Sequence, residues 1–305
     1  VFWERDGVEA AVALGRENGL VLLINGKADG SLIVDRGTQA MGALLPALLH
    51  PAPRRVFVLG LGTGMSAGWV SLLDGVERVD VAELEPAIVE AAAEFAAANA
   101  RVLERPNVRV WQGDGREWLL SSREQYDVIA SEPSNPYRAG MASVFTREFY
   151  AAARARLRPG GIFAQWVQGY EVGVSTLRIV MKTLRTVFPH VEAWHTQTGD
   201  FLLLAALEPM TVDVPRLRAR LREPPVYAAA TRTFLTEEAE GILGHFVADE
   251  ALIAAVAEKA YTPVNTDDSS ALEYEFARRV GAGDDDLVAR LLALAAARGA
   301  DRPAV

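Results

Sequence analysis

The chain has 305 residues, 50% hydrophobic and 23% charged, a composition that is globular rather than disordered and has room for one long α/β unit. It contains no cysteine, which rules out disulfides, thiolate metal sites and a Cys nucleophile. The net charge of −9 argues against a nucleic-acid binder and suits either a cationic ligand or a merely soluble surface.

Residues 1–35 read as short strands, with apolar runs at 8–14 and 20–24 and turn residues at Arg16-Glu17-Asn18-Gly19 and Asn25-Gly26. Residues 37–50 read as a helix, and Pro51-Ala52-Pro53 as a linker. From residue 54 buried-type strands at 55–59, 79–82, 108–111, 128–131 and 162–167 alternate with helical stretches such as 86–98 and 146–157. That alternation predicts a doubly wound, mostly parallel Rossmann-like α/β sheet behind a small N-terminal β-domain. A helix at 174–187 and a strand at 201–207 follow. Residues 208–262 read as helical with a break at Pro224-Pro225, 262–275 as an irregular acidic segment, and 284–298 as a terminal amphipathic helix. The expected division is 1–52, 53–280 and 281–305. No apolar run reaches the roughly 18 residues that span a bilayer, so no membrane contact is expected within this chain.

The loop Gly60-Leu61-Gly62-Thr63-Gly64 follows a buried strand and opens a helix, where glycines let backbone approach a ligand closely. Its sixth position is Met65 rather than the Gly or Ala of a dinucleotide fold, which favours another adenosine ligand. Glu83 ends the second strand of the sheet, where a carboxylate would accept ribose hydroxyls. Asp114, in Gly113-Asp114-Gly115, ends the third, where it would read an adenine amino group. Three such features at the C-terminal ends of strands point to an S-adenosyl-type ligand. The four histidines show no ligand-like spacing and no metal is expected, while the Trp residues at 69, 111, 118 and 194 are expected in the core.

The fourth strand ends in Ser131-Glu132-Pro133-Ser134-Asn135-Pro136, followed by Val144-Phe-Thr-Arg-Glu-Phe-Tyr150. With Leu48-Leu-His-Pro-Ala-Pro-Arg-Arg55, these segments make residues 1–207 resemble the spermidine synthase family of polyamine aminopropyltransferases. Asn265-Thr-Asp-Asp-Ser-Ser-Ala-Leu-Glu-Tyr274 is similar to the tail of a bacterial subgroup fused to a transporter-like membrane domain. The resemblance implies a fold of the S-adenosylmethionine-dependent methyltransferase type, a cytoplasmic location and a homodimer formed through the N-terminal strands. It also implies transfer of an aminopropyl group from decarboxylated S-adenosylmethionine to a di- or polyamine, releasing methylthioadenosine.

In that reading Glu132 binds the acceptor and acts as base. Gly60, Gly62, Thr63, Gly64, Glu83, Asp114, Gly115 and Gln39 hold the nucleoside donor, and Asn135, Tyr137, Gln165 and Gln168 contact the amine. Trp166 is a further candidate there, and Asp267, Asp268 and Glu273 are either charges for a polyamine tail or an exposed acidic turn. Several positions depart from the family pattern. Its first loop Asp is Glu132, its second is Asn135, its substrate-holding Tyr falls on Thr38, and the Asp that grips the aminopropyl ammonium is Thr63. A neutral residue at 63 tolerates the carboxylate of ordinary S-adenosylmethionine, so methyl transfer on the same scaffold stays open, as does a non-catalytic nucleoside sensor.

Overall fold

The computed structural model describes residues 1–16, 19–134, 140–196, 199–259, 261–279 and 286–305. The N-terminal segment forms an antiparallel meander of β1 (Trp3–Asp6), β2 (Ala11–Gly15), β3 (Val21–Ile24) and β4 (Lys27–Ser31). Asn25 and Gly26 both have positive φ (51° and 79°), which suits the twist of the hairpin they close. Helix α1 (Arg36–Leu49) leads out of this sheet.

The chain then alternates β5 (Arg55–Leu59), α2 (Met65–Val70), β6 (Arg78–Glu83), α3 (Pro86–Glu94), β7 (Val108–Gln112), α4 (Gly115–Ser121), β8 (Tyr126–Ser131), α5 (Arg147–Arg156) and β9 (Leu157–Val167). Next come α6 (Val174–Arg185) and the antiparallel pair β10 (His190–His195) and β11 (Phe201–Ala206). The remainder comprises α7 (Val214–Arg220), α8 (Pro224–Ala229), α9 (Ala239–Leu243), β12 (Phe246–Ala248), α10 (Glu250–Ala257), α11 (Ala271–Arg279) and α12 (Leu287–Ala296).

The eight-stranded sheet runs β12-β10-β11-β9-β8-β5-β6-β7. Strands β9, β8, β5, β6 and β7 are parallel, and β11, β10 and β12 extend them antiparallel. Alternating side chains separate two cores. Val56, Val58, Val128 and Ala130 pack under α1, α2 and the N-terminal sheet, while Phe57, Ile129 and Phe163 pack with α5 and α6 on the opposite face. The order reverses at β5, between β8 and β6, and a crevice opens there at the C-terminal strand ends.

The parallel sheet agrees with the sequence reading, and the differences lie at its antiparallel edge. Strands β10 and β12 were not expected, because β10 carries polar His190, Glu192 and His195 and β12 has only three residues. The expected break at Pro224-Pro225 is present between α7 and α8, with the two prolines in the first turn of α8. The segment 262–275 is not irregular throughout, since α11 begins at Ala271. Trp194 is fully buried, but Trp111 is 37% exposed and lies against Trp118, with centroids 5.0 Å apart. Among the described residues no helix is long and apolar enough to cross a membrane.

Buried Asp127 ties the start of β5 to β8. Its Oδ2 accepts the backbone N–H groups of Arg54 and Arg55, both at 2.8 Å, and it pairs with Arg158 at 3.2 Å. Asp127→Ala leaves these donors without their acceptor and should cost about 2–4 kcal/mol. The measurement is a lowered denaturant midpoint at unchanged slope; a loss below about 0.5 kcal/mol would show that water replaces the carboxylate.

Candidate active site

Two cavities open at the strand ends around β5, and both are walled by Gly60, Gly62, Glu132, Pro133, Ser134 and Asp29. The smaller, about 290 Å³, continues over Glu83, Leu84, Glu85, Ile88, Asp114 and Gly115 to Met141, Ser143 and Val144. The larger, about 420 Å³, continues over Ala28, Asp35, Thr38 and Gln39 to Trp166, Tyr170 and Asp200.

The glycine loop makes the junction. Gly60, Gly62 and Gly64 have φ of 92°, 51° and 79°, values that strain any residue with a Cβ. At Gly60 a Cβ would also fall 2.5 Å from the backbone oxygen of Glu132, so glycine lets the ends of β5 and β8 meet. Gly64 makes a different close approach, to Val102 and Asn99, and lines neither cavity.

Glu83 is buried at the end of β6. Its Oε2 accepts the Leu61 N–H at 2.8 Å and its Oε1 the Glu85 N–H at 2.9 Å, so one carboxylate fixes the loop after β5 and the turn before α3. Burial raises its pKa, and the two backbone donors hold it back only in part. Asp114 caps α4, accepting from Arg116 N–H at 2.7 Å, and faces the smaller cavity beside Gly115. Leu84, Ile88, Met141 and Val144 supply apolar wall for a flat ring. The turn carrying Met141 and Val144 is held by buried Asn265, whose Nδ2 donates to Ala142 O at 3.0 Å and whose Oδ1 accepts from Leu272 N–H at 3.2 Å. Asp267 pairs with Arg116, and Asp267, Asp268 and Glu273 lie outside both cavity walls.

Glu132 sits where the two cavities join. Its N–H donates to Leu59 O at 3.0 Å, continuing the β5–β8 contact beyond the strands. Its carboxyl turns toward α1 and α2, against Gly42, where a Cβ would fall 2.3 Å from the carboxyl carbon. Ser66 Oγ lies 2.5 Å from Glu132 Oε1 and accepts Ala43 N–H at 2.8 Å, so the Ser66 proton points at the carboxyl. Burial pushes the Glu132 pKa up to about 8, with Ser66 acting in the opposite direction. A carboxyl so placed takes up or releases a proton near neutral pH.

The larger cavity is anionic. Asp29, Asp35, Glu132 and Asp200 reach it from four different segments, and no Lys or Arg lines it among the described residues. Burial also raises the pKa of Asp35, with Ser31 opposing. Trp166 and Tyr170 add aromatic faces suited to an alkylammonium.

The structure thus gathers Gly60, Gly62, Glu83, Asp114, Gly115, Gln39 and Glu132 around one continuous space. Thr63 is fully buried and outside both walls, its hydroxyl donated to Gln39 Oε1 at 2.9 Å. Gln165 and Gln168 are also buried outside the walls, and Gln165 Nε2 donates to the carbonyl of Trp166 at 3.0 Å. In that region Trp166 is the side chain that faces the larger cavity. Asn135 and Tyr137 lie outside the described residues. Sequence reasoning missed Asp29, Asp35, Asp200 and Ser66, which belong to no local motif; the chain's acidity was the only trace of the three aspartates, and Ser66 left none. Among the described residues no group of three His, Cys, Asp or Glu is arranged to hold a metal ion.

Comparison with known proteins adds to this geometry. A family model described as spermine/spermidine synthase domain matches residues 37–202, more than half of the chain. A spermidine synthase of Dictyostelium discoideum is 29% identical over 184 residues, 60% of this chain and 64% of that protein. A polyamine aminopropyltransferase of Nitrosomonas europaea is 28% identical over 187 residues, 59% of this chain and 57% of that protein. The chain therefore spans between half and two thirds of the length of these curated relatives. A crystal structure of spermidine synthase in complex with the transition-state analogue AdoDATO superposes with a TM-score of 0.65 at 17% identity, covering 96% of this chain and 88% of that one. Thermotoga maritima spermidine synthase gives 0.63 at 17% identity, covering 96% and 87%. At that identity both attest the fold.

The raised pKa of Glu132 has a measurable consequence. The unfolded chain loses this proton near 4.5 and the folded one near 8, so across that window the unfolded state binds fewer protons and stability falls as pH rises. Glu132→Gln removes that penalty. Its melting temperature should match wild type near pH 4.5 and exceed it by several degrees at pH 8.5. Glu192, raised by burial to about 7, is present in both proteins and cancels in the difference. A difference independent of pH would show that Glu132 ionises normally.

Proposed function

Because the chain belongs to the spermine/spermidine synthase domain family, we propose that it transfers an aminopropyl group from decarboxylated S-adenosylmethionine to a di- or polyamine. The observation that carries this reading is the pairing of two joined cavities. One is lined by the carboxylates Glu83 and Asp114, which the reading assigns to ribose and adenine, and the other has an acidic wall with Glu132 at the junction. A nucleoside with a sulfonium fits the first and an alkyl polycation the second, so the reacting carbon comes to lie near Glu132.

The chemistry follows from charge. An alkylammonium is not a nucleophile until it loses a proton, and Glu132 takes that proton in its ionised form. The freed nitrogen attacks the methylene carbon next to the sulfonium. The new C–N bond forms as the C–S bond breaks, and its electron pair leaves with sulfur as neutral methylthioadenosine. The product nitrogen carries the positive charge that sulfonium gave up. The surrounding carboxylates keep both cations in line, which is the entropic share of the rate. Glu83, Asp114, Gly60, Gly62, Gly115 and Gln39 are assigned to the donor. Glu132, Asp35, Asp200 and Trp166 are assigned to the acceptor, whose identity is a di- or polyamine by charge alone. Thr63 and Gly64 serve the donor by shaping the loop.

Incubating the protein with decarboxylated S-adenosylmethionine and a panel of diamines and polyamines should release methylthioadenosine with at least one amine. A folded protein that binds the donor and releases none with any amine overturns the reading, and S-adenosylhomocysteine formed from S-adenosylmethionine would replace it with methyl transfer. Glu132→Gln should lower kcat by about 10²–10⁴. In wild type kcat/KM should rise with pH toward a midpoint near 8, and that limb should vanish in the variant. A pH profile unchanged by Glu132→Gln would remove Glu132 as base.

A further inference from the structure

The donor of the proposed reaction carries a second cation, the primary ammonium at the far end of the arm that is transferred. With its adenosyl part in the smaller cavity, the arm must extend through the junction into the larger one. Among the six described residues that wall both cavities, Asp29 and Glu132 carry a carboxyl group. Glu132 has its carboxyl engaged by Ser66 on the α1–α2 side. Thr63, within the glycine loop, is neutral, buried and donated to Gln39.

We propose that Asp29, carried in by the N-terminal sheet, is the counter-ion for the donor's ammonium and thereby selects the decarboxylated donor over S-adenosylmethionine. The proposal rests on the aminopropyl-transfer reading.

Asp29 is firmly held for this task. Ser134 Oγ donates to its Oδ1 at 2.5 Å, and its backbone oxygen accepts Gln39 Nε2 at 3.2 Å. Each oxygen of a carboxylate accepts more than one hydrogen bond, so an ammonium can join the partners that Asp29 already has. The residue after it, Gly30, lets β4 rest directly on the loop, since a Cβ there would fall 2.8 Å from the Thr63 methyl carbon. Thr63, Gln39 and Asp29 therefore form a stack in which the loop residue supports the strand residue that bears the charge. The field of Asp29 reaches both cavities, since its charge helps to raise the pKa of Glu83 in one and of Asp35 in the other. S-adenosylmethionine bears a carboxylate on the carbon that carries its ammonium, so beside Asp29 it would meet like charge. The decarboxylated donor has no such group.

Calorimetric titration of wild type, Asp29→Asn and Asp29→Glu with methylthioadenosine, decarboxylated S-adenosylmethionine and S-adenosylmethionine tests this. Methylthioadenosine lacks the ammonium and reports whether the nucleoside cavity is intact. Asp29→Asn should weaken the decarboxylated donor by about ten- to hundredfold, the loss of one hydrogen bond to a charged group. It should leave methylthioadenosine within about twofold and not weaken S-adenosylmethionine, and Asp29→Glu should recover part of the loss. Unchanged affinity for the decarboxylated donor in Asp29→Asn overturns the proposal, as does an equal fall for methylthioadenosine, which would mark a purely structural role. If wild type itself prefers S-adenosylmethionine, the aminopropyl reading fails first and separately.

Discussion

The site depends on a single close approach between backbones. The ends of β5 and β8 meet where Gly60 lies against the carbonyl of Glu132, a contact that any side chain at Gly60 would push apart. Glu132 N–H extends the pairing by one bond to Leu59, so the residue at the junction is positioned by main chain rather than by its own side chain. Both cavities open from this seam. Glu83 secures its other flank by accepting from two separate turns at once. The geometry is therefore set by the sheet, and the side chains that face the cavities are free to specify chemistry.

Burial is used differently on the two sides of the seam. Glu83 is surrounded by fixed N–H donors, which suits a group that must accept hydrogen bonds and never move a proton. Glu132 has one hydroxyl and an apolar slot against Gly42, so its proton is held near the pH at which it is useful. Ser66 sets the balance, because it stabilises the ionised form without fully compensating burial. The same residue type thus sits in two different settings, one suited to accepting hydrogen bonds and the other to moving a proton.

Much of this was legible in the sequence, because the parallel half of a doubly wound sheet writes its function locally. Glycines at 60, 62 and 64 and acids at 83 and 114 each stand at the C-terminal end of a strand, and position relative to the strand is what gives them meaning. The anionic wall is not written that way. Asp29 lies within a short edge strand, Asp35 precedes a helix and Asp200 sits in the turn between β10 and β11, and each alone is an ordinary surface acid that only tertiary packing unites. Thr63 was recognisable as a departure, but its burial under Gly30 and Gln39 was not, since that depends on how the N-terminal sheet sits on the loop. Gln165 was open to either substrate contact or core packing because it lies near a strand end, and the structure buries it outside both cavity walls.

The N-terminal sheet is keyed to the larger unit through Glu85, which accepts Glu9 N–H at 2.9 Å and lies where a Cβ on Gly7 would collide with it. The segment that the family model matches begins at residue 37, after both Asp29 and Asp35. Glu83 and Asp114 on one side, and Asp29 and Asp35 on the other, therefore come from separate stretches of chain that meet through a few fixed contacts. In evolutionary terms the two can drift at different rates. Substitutions in the four-stranded appendage can change the charge of the larger cavity's wall without touching Glu83 or Asp114, which lie on other elements.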